Sequence, residues 1–453
     1  MRRIELNPGE VFSQSHLKRK SAFNAAALEA ATAIIEDVRE RGDAALRECT
    51  SRFDGVDVAD FRVPYSAIAD ATSQVSDEVA TALRQAADQI RDFHERQRQQ
   101  SWFAVREDGA LVGSKVVPLD SVGIYVPGGR ALYPSTVLMN AIPAAVAGVP
   151  RIVCTTPPTK DGTVDAAILE ACRIAGVTEV YTVGGAQAIG ALAYGTESIE
   201  PVAKITGPGN AYVAAAKKVV SGDVGIDMIA GPSEVCVVAD ATADPALVAI
   251  DLMAQAEHDP LATCYLVCFD AAYADAVEAM TERHLRASTR AEITKASLSD
   301  QGVIVVCNDL AQAIEAVNVI APEHLELHVD HAFDLLGAIR HAGAIFLGAW
   351  TPEAIGDYVA GPNHTLPTGG TARYASPLSV DEFVKKSSVI QYSPQALARD
   401  AKTVMSIARH EGLWAHAMSV EMRKNLLDTG SIYGMDGDDR PAVAAQSEGE
   451  ADA

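Results

Sequence analysis

The chain has 453 residues, which at roughly 150 residues per domain predicts about three structural units with a large buried core. Apolar residues make up 48% and charged residues 21%, a balance that excludes collagenous, low-complexity or wholly disordered chains. Thirty-seven basic against sixty acidic residues give a net charge of −23, which repels nucleic acid and anionic lipid and favours cationic or metal-bound partners.

The N-terminus, MRRIELNPGE, has no apolar run behind its arginines, and no stretch reaches the roughly 18 apolar residues of a membrane span. Neither export nor membrane insertion is expected. The first hundred residues read as helical. Residues 76–100 place Val79, Leu83, Ala86, Ala87, Ile90 and Phe93 at three- and four-residue spacing, with Ser76 as N-cap and Asp77 and Glu78 in the first turn. From about residue 111 the period changes. Short β-branched runs (VGIYV, RIVCT, EVYTV, AKIT, SEVCVVA, ATCYLVCF, VIVVC, AIFLG) alternate with helix-length segments, the pattern of parallel βαβ units in an α/β protein.

Glycines and prolines cluster in VPGGR, VGGAQ, TGPGN, AGPSE and AGPNHTLPTGG, which the strand pattern places just after strands, the edge where open α/β sheets bind ligands. Residues 395–426 return to a helical period and suit a small separate domain or an arm onto a partner subunit. The last twenty residues carry six acids and one Arg with almost nothing to bury, so disorder is expected there. The seven cysteines are odd in number and form no CxxC, which points to reduced thiols in the cytoplasm.

Five segments carry candidate chemistry. In KITGPGNAYVAAAKK, Gly207 and Gly209 sit where backbone amides could face a pyrophosphate, with Asp227 twenty residues beyond Gly207. The third fingerprint position is Tyr212, which also leaves an ordinary tight turn open. In DLMAQAEHDP, Gln255 and His258 share nearly one helix face and suit either a pair of ligands or a satisfied polar pair. APEHLELHVD alternates as a half-buried strand, with His324, Glu326 and His328 on a solvated face, or with Glu323 and His324 as acid and base. Asp357 and His364 lie in a Gly/Pro-rich stretch too polar for core. Glu411 and His416 are five residues apart, about 140° around an ideal helix. Four polar clusters in apolar surroundings favour one shared site.

Taken together, YVPGG, VGGAQAIGALAYGTE, GPGNAYV, AGPSEV, AQAEH, APEHLEL, GDYVAGPNHTLPT and EGLWAH closely resemble histidinol dehydrogenases, in order and spacing, from about residue 20 to 426. The resemblance implies two incomplete Rossmann-like domains with parallel sheets, plus small helical N- and C-terminal segments. It divides the chain into 1–23, a domain of 24–124 with 234–378, an inserted NAD-binding domain of 125–233, a C-terminal arm of 379–433 and the acidic tail 434–453. The implied reaction is oxidation of L-histidinol to L-histidine through the aldehyde by two hydride transfers to NAD, the last steps of histidine biosynthesis.

The resemblance further implies one zinc ion per subunit on Gln255, His258, Asp357 and His416, with open coordination for substrate. It makes Glu323 and His324 the acid–base pair. Ser233, His364 and Glu411 join the four ligand residues and His324 around the substrate, and Tyr125, Gln187 and Asn210 contact NAD. It also implies a homodimer in which the arm carrying Glu411 and His416 completes the partner's site. Cys154 and Cys236 are candidates for a thiohemiacetal, although their β-branched surroundings favour core packing and the resemblance favours water. Residue chemistry alone also allows a zinc hydrolase or a two-lobed binding protein for a cationic metabolite.

Overall fold

The computed structural model describes residues 1–17, 19, 25–128 and 132–434. The expected acidic tail therefore lies outside the described residues beyond Gly434, as do Gly129 and Arg130 of VPGGR. The chain divides into two compact units, one of residues 1–98 with 118–385 and one of 99–117 with 386–453.

The first unit holds two parallel sheets. One has six strands in the order Arg2–Glu5, Val303–Val306, Thr263–Cys268, Glu234–Ala239, His324–His328, Ala344–Leu347. The other has five, ordered Glu179–Thr182, Ile152–Thr156, Val122–Tyr125, Lys204–Thr206, Gly225–Ile226. Runs such as Glu234–Ala239 and Ile152–Thr156 are buried at every position, as strands covered on both faces must be. In each parallel sheet the order in which the chain adds strands reverses, beside Val122–Tyr125 in one and beside Glu234–Ala239 in the other. The α/β expectation with two parallel sheets is met.

Among the described residues of 1–23, Arg2–Glu5 pairs in parallel with Val303–Val306 at a sheet edge, followed by a single turn at Gln14–His16. The helices Ala25–Arg41 and Asp43–Asp54, through Ala31, Ile35 and Leu46, share a core with the helices Gly185–Tyr194 and Ala211–Val220 of the five-stranded sheet, and Asp77–Glu95 packs on Pro134–Ala147 and Ala166–Ala175. The hydrophobic stripe on Asp77–Glu95 is turned slightly. Ser76 caps it by accepting from the Val79 N–H at 3.3 Å, but Val79 is exposed, while Ala80 and His94 take the buried ends.

The second unit packs the helices Pro394–His410 and Trp414–Thr429 as a hairpin beside an antiparallel pair, Trp102–Val105 with Leu111–Pro118, so the C-terminal arm recruits residues from before the inserted sheet. No described helix is long and apolar enough to cross a membrane.

Candidate active site

In the five-stranded sheet the glycine-rich turns do follow the strands. Tyr125 ends its strand, and its hydroxyl accepts from the Gly185 N–H at 3.1 Å while burial pushes its pKa up to about 12. Gly207 has φ +112°, and a Cβ there would collide with the Tyr125 carbonyl, so only glycine allows the two adjacent strand ends to approach. Asn210 caps the helix Ala211–Val220, accepting from the Tyr212 and Val213 N–H groups at 3.0 and 3.1 Å. Gln187 is buried in the first turn of the helix Gly185–Tyr194. Tyr125, Gln187 and Asn210 thus stand at or just beyond the carboxyl ends of the strands where the strand order reverses, the kind of position at which open α/β sheets receive ligands. Asp227 is not available to a ribose. It pairs with the buried Lys217 and accepts from the Gly207 N–H at 2.8 Å, so it holds the loop from inside.

The six-stranded sheet breaks the expectation. AGPSE precedes Glu234–Ala239, and Glu323 and His324 stand at the start of their strand, so the polar cluster gathers at the amino-terminal edge. The helix Pro245–Ala256 returns to this edge and delivers Gln255 at its end, with His258 just beyond. The short helix Glu353–Tyr358 presents Glu353 and Asp357 four residues apart on one face. His364 is anchored by its Nδ1, 3.0 Å from the Asp357 carbonyl, and its Nε2 lies 3.4 Å from Thr136 Oγ1 of the other sheet's helix. Ser233 is half-buried immediately before its strand.

His324 occupies the centre. Its Nδ1 lies 3.1 Å from the Glu234 carbonyl, which can only accept, so Nδ1 carries a proton. Its Nε2 is buried without a hydrogen-bond partner, 3.7 Å from Asp357 Oδ1. Burial works against charge on this ring, but Glu353 at 3.8 Å, Glu323 at 3.9 Å and Asp357 outweigh it and hold its pKa well above the usual value. Glu323 accepts from the Glu234 N–H at 2.8 Å, and burial, moderated by His324, pushes its pKa up to about 7.

A metal fits here. His258, Glu353 and Asp357 each offer a ligand atom, all within 4.8 Å of one another. His258 is exposed, but desolvation by its surroundings still lowers its pKa and so favours the neutral imidazole that a metal requires. Gln255 is buried beside them. Glu411 and His416 belong to the second unit. Glu411 follows Pro394–His410, Gly412 turns the chain with φ +73°, and His416 sits in the first turn of Trp414–Thr429, so the two are not on one helix as the 140° estimate assumed. Both are exposed.

Sequence reasoning missed Glu353 and Glu234, and misplaced Glu326 and His328. The strand His324–His328 is buried on both faces, not half-solvated, so Glu326 and His328 meet inside the fold. His328 Nε2 lies 3.2 Å from Glu326 and 3.5 Å from Asp251, and Glu326 accepts from the Glu353 N–H at 2.7 Å. The seven cysteines are all free and buried, and burial drives the Cys236 pKa far up, so no thiolate is prepared there.

The profile of the histidinol dehydrogenase family matches residues 17–424. The chain is 53% identical over 391 residues to a histidinol dehydrogenase of Bacillus subtilis (strain 168), covering 86% of this chain and 92% of the relative. It is 55% identical over 390 residues to one of Geobacillus kaustophilus, with the same coverage of 86% and 92%. The crystal structure of histidinol dehydrogenase from Elizabethkingia anophelis superposes with a TM-score of 0.87 at 36% identity, over 93% of this chain and 98% of that one. The chain belongs to the histidinol dehydrogenase family.

Proposed function

We propose that this chain performs its family's NAD-dependent reaction, oxidation of L-histidinol to L-histidine through the aldehyde, at the amino-terminal edge of the six-stranded sheet. The observation that carries the reading is the convergence of Gln255, His258, Glu323, His324 and Asp357 there, around a buried imidazole nitrogen with no partner. NAD lies at the carboxyl edge of the five-stranded sheet, against Tyr125, Gln187 and Asn210. Ser233, His364 and Glu411 contact substrate, and the acidic surroundings suit its cationic amine.

In the first step His324 Nε2 takes the hydroxyl proton as hydride leaves the carbinol carbon for the nicotinamide, giving the aldehyde and NADH. Water then adds to the aldehyde while Glu323 takes a proton from it, which a carboxylate titrating near 7 can do at neutral pH. As the water adds, His324 returns its proton to the aldehyde oxygen, so the hydrate can give its hydride to a second NAD and a hydroxyl proton to the freed His324; the carboxylic acid so formed loses its proton to solvent as the carboxylate. Gln255, His258 and Asp357, with His416, would hold zinc. The ion would fix the substrate's amine and imidazole, and its charge would offset the acids around His324.

The assembly is a homodimer in the cytoplasm, in which Glu411 and His416 complete the partner's site. Exposed Ile407, Leu413, Trp414, Leu426 and Leu427 give the second unit an apolar surface suited to this role. The chain division that best suits this reading is an inserted cofactor domain beginning near Tyr125, followed by the chemistry-bearing domain from Ser233 onward. The test is NADH formation from histidinol. Two NADH per histidinol, abolished by a chelator and restored by zinc, is expected; release of one NADH, or indifference to chelation, contradicts the reading.

A further inference from the structure

A glutamine binds zinc through its amide oxygen, so a ligand at position 255 works only if that oxygen, and not the nitrogen, faces the ion. The amide of Gln255 is fully enclosed, at 1% exposure, and one end lies 3.0 Å from Glu353 Oε1, 3.3 Å from Glu353 Oε2 and 3.0 Å from His324 Nδ1. The His324 Nδ1 proton is given to the Glu234 carbonyl, so the imidazole does not orient the amide, and the two oxygens of the Glu353 carboxylate call for a nitrogen at that end. Nε2 is therefore the end that points at Glu353, and Oε1 points the opposite way. An unrestrained amide would have two orientations of similar shape, one of which presents N–H groups to a cation.

We propose that Glu353 is a positioning residue that sets the Gln255 amide, holding its nitrogen so that its oxygen is the atom offered to the metal. The inference rests on the metal reading above. Glu353 is itself braced. Pro352 precedes it at the helix start, and its backbone N–H donates to Glu326 Oε1 at 2.7 Å, while Glu326 is held in turn by His328. Its side chain is 2% exposed, so it has no solvent alternative to the amide. The arrangement is a ligand's hydrogen-bond partner of the kind whose loss costs a site roughly 10- to 100-fold in metal affinity.

The experiment compares zinc affinity, measured by competition with a chromophoric chelator and no substrate, in the full-length enzyme and two variants. The visible spectrum of the cobalt-substituted protein serves as a second readout. Glu353→Leu fills the space but accepts no hydrogen bond; it should weaken zinc binding about 10- to 100-fold and alter the cobalt spectrum. Glu353→Gln can still accept through its own oxygen, so it should stay within about 3-fold, since only the charge and not the acceptor is lost. Zinc binding by Glu353→Leu equal to wild type overturns the proposal, as does loss of zinc from Glu353→Gln, which would make Glu353 a ligand. Should Glu353→Leu fail to fold, the exchange Gln255→Glu with Glu353→Gln keeps both volumes and reverses the hydrogen bond; retained zinc supports the proposal and lost zinc contradicts it. Wild type that binds no zinc would instead remove the metal reading.

Discussion

In the proposed function the two parallel sheets use opposite edges for different work. At the carboxyl edge of the five-stranded sheet, Gly207, Asn210 and Gly185 shape a crevice from backbone, and its one candidate acid, Asp227, is tied to Lys217. At the amino edge of the six-stranded sheet, three carboxylates (Glu323, Glu353 and Asp357) crowd around His324. The contrast is one of chemistry: glycine-rich turns offer backbone N–H groups suited to a phosphate-bearing cofactor, whereas proton chemistry needs buried titratable groups whose charges are left partly unbalanced.

The sharpest way to break this division is to remove its centre. His324→Ala should lower kcat roughly 10²- to 10⁴-fold while NAD binding, followed by fluorescence, is unchanged. Loss of NAD binding with it would show that the two edges do not divide the work. Glu323→Gln should act mainly on the second half-reaction. Because the Glu323 carboxyl is raised to about 7, its basic form disappears as pH falls below that value, so wild-type oxidation of the aldehyde should decline on the acid side of about pH 7. The variant should be slow throughout and lack that limb, and an unchanged profile would remove Glu323 from the water step.

At the other edge, Gly207→Ala forces a left-handed φ and a collision with the Tyr125 carbonyl. It should cost roughly 1–3 kcal/mol of stability and raise the KM for NAD more than that for histidinol. Cys154→Ala and Cys236→Ala should keep substantial turnover, and a folded, zinc-loaded but inactive variant of either would overturn the water route. The smallest effect concerns Asp251. Burial and the neighbouring Glu326 raise its carboxyl to about 7, so from about pH 4 upward the unfolded chain is ionised while the folded chain keeps its proton. Stability should therefore fall as pH rises toward 7, and His328, with its raised pKa, adds to the fall in the same direction. Asp251→Asn should flatten the decline of Tm with pH; an unchanged slope would place that pH dependence elsewhere.

Much of this was legible in the residues, and what was not has physical causes. The eight β-branched runs located eight of the eleven strands that form the two sheets because fully buried parallel strands are apolar at nearly every position. The strand Arg2–Glu5 was missed because RRIE has one apolar residue and pairs along a single edge. Gln255 with His258, and Glu323 with His324, were legible as neighbours, but spacing could not reveal that their segments meet, since that depends on parallel register between strands about ninety residues apart. Glu353 was invisible as a single acid in a short helix. Its spacing of four from Asp357 was the one available signal. Asp227 misled because a position suited to a ribose partner was already taken by Lys217, ten residues from it in sequence.

Two groups among the described residues bring three ligand atoms within 4.8 Å of one another, His258 with Glu353 and Asp357, and Asp251 with Glu326 and His328. The account stands on the first being the metal centre and the second an internal brace. Anomalous diffraction at the zinc edge, from crystals of the zinc-loaded protein, separates them directly. A single strong peak bounded by Gln255, His258 and Asp357 is predicted, and a peak at Asp251, Glu326 and His328 instead, with none at the first group, would contradict the account.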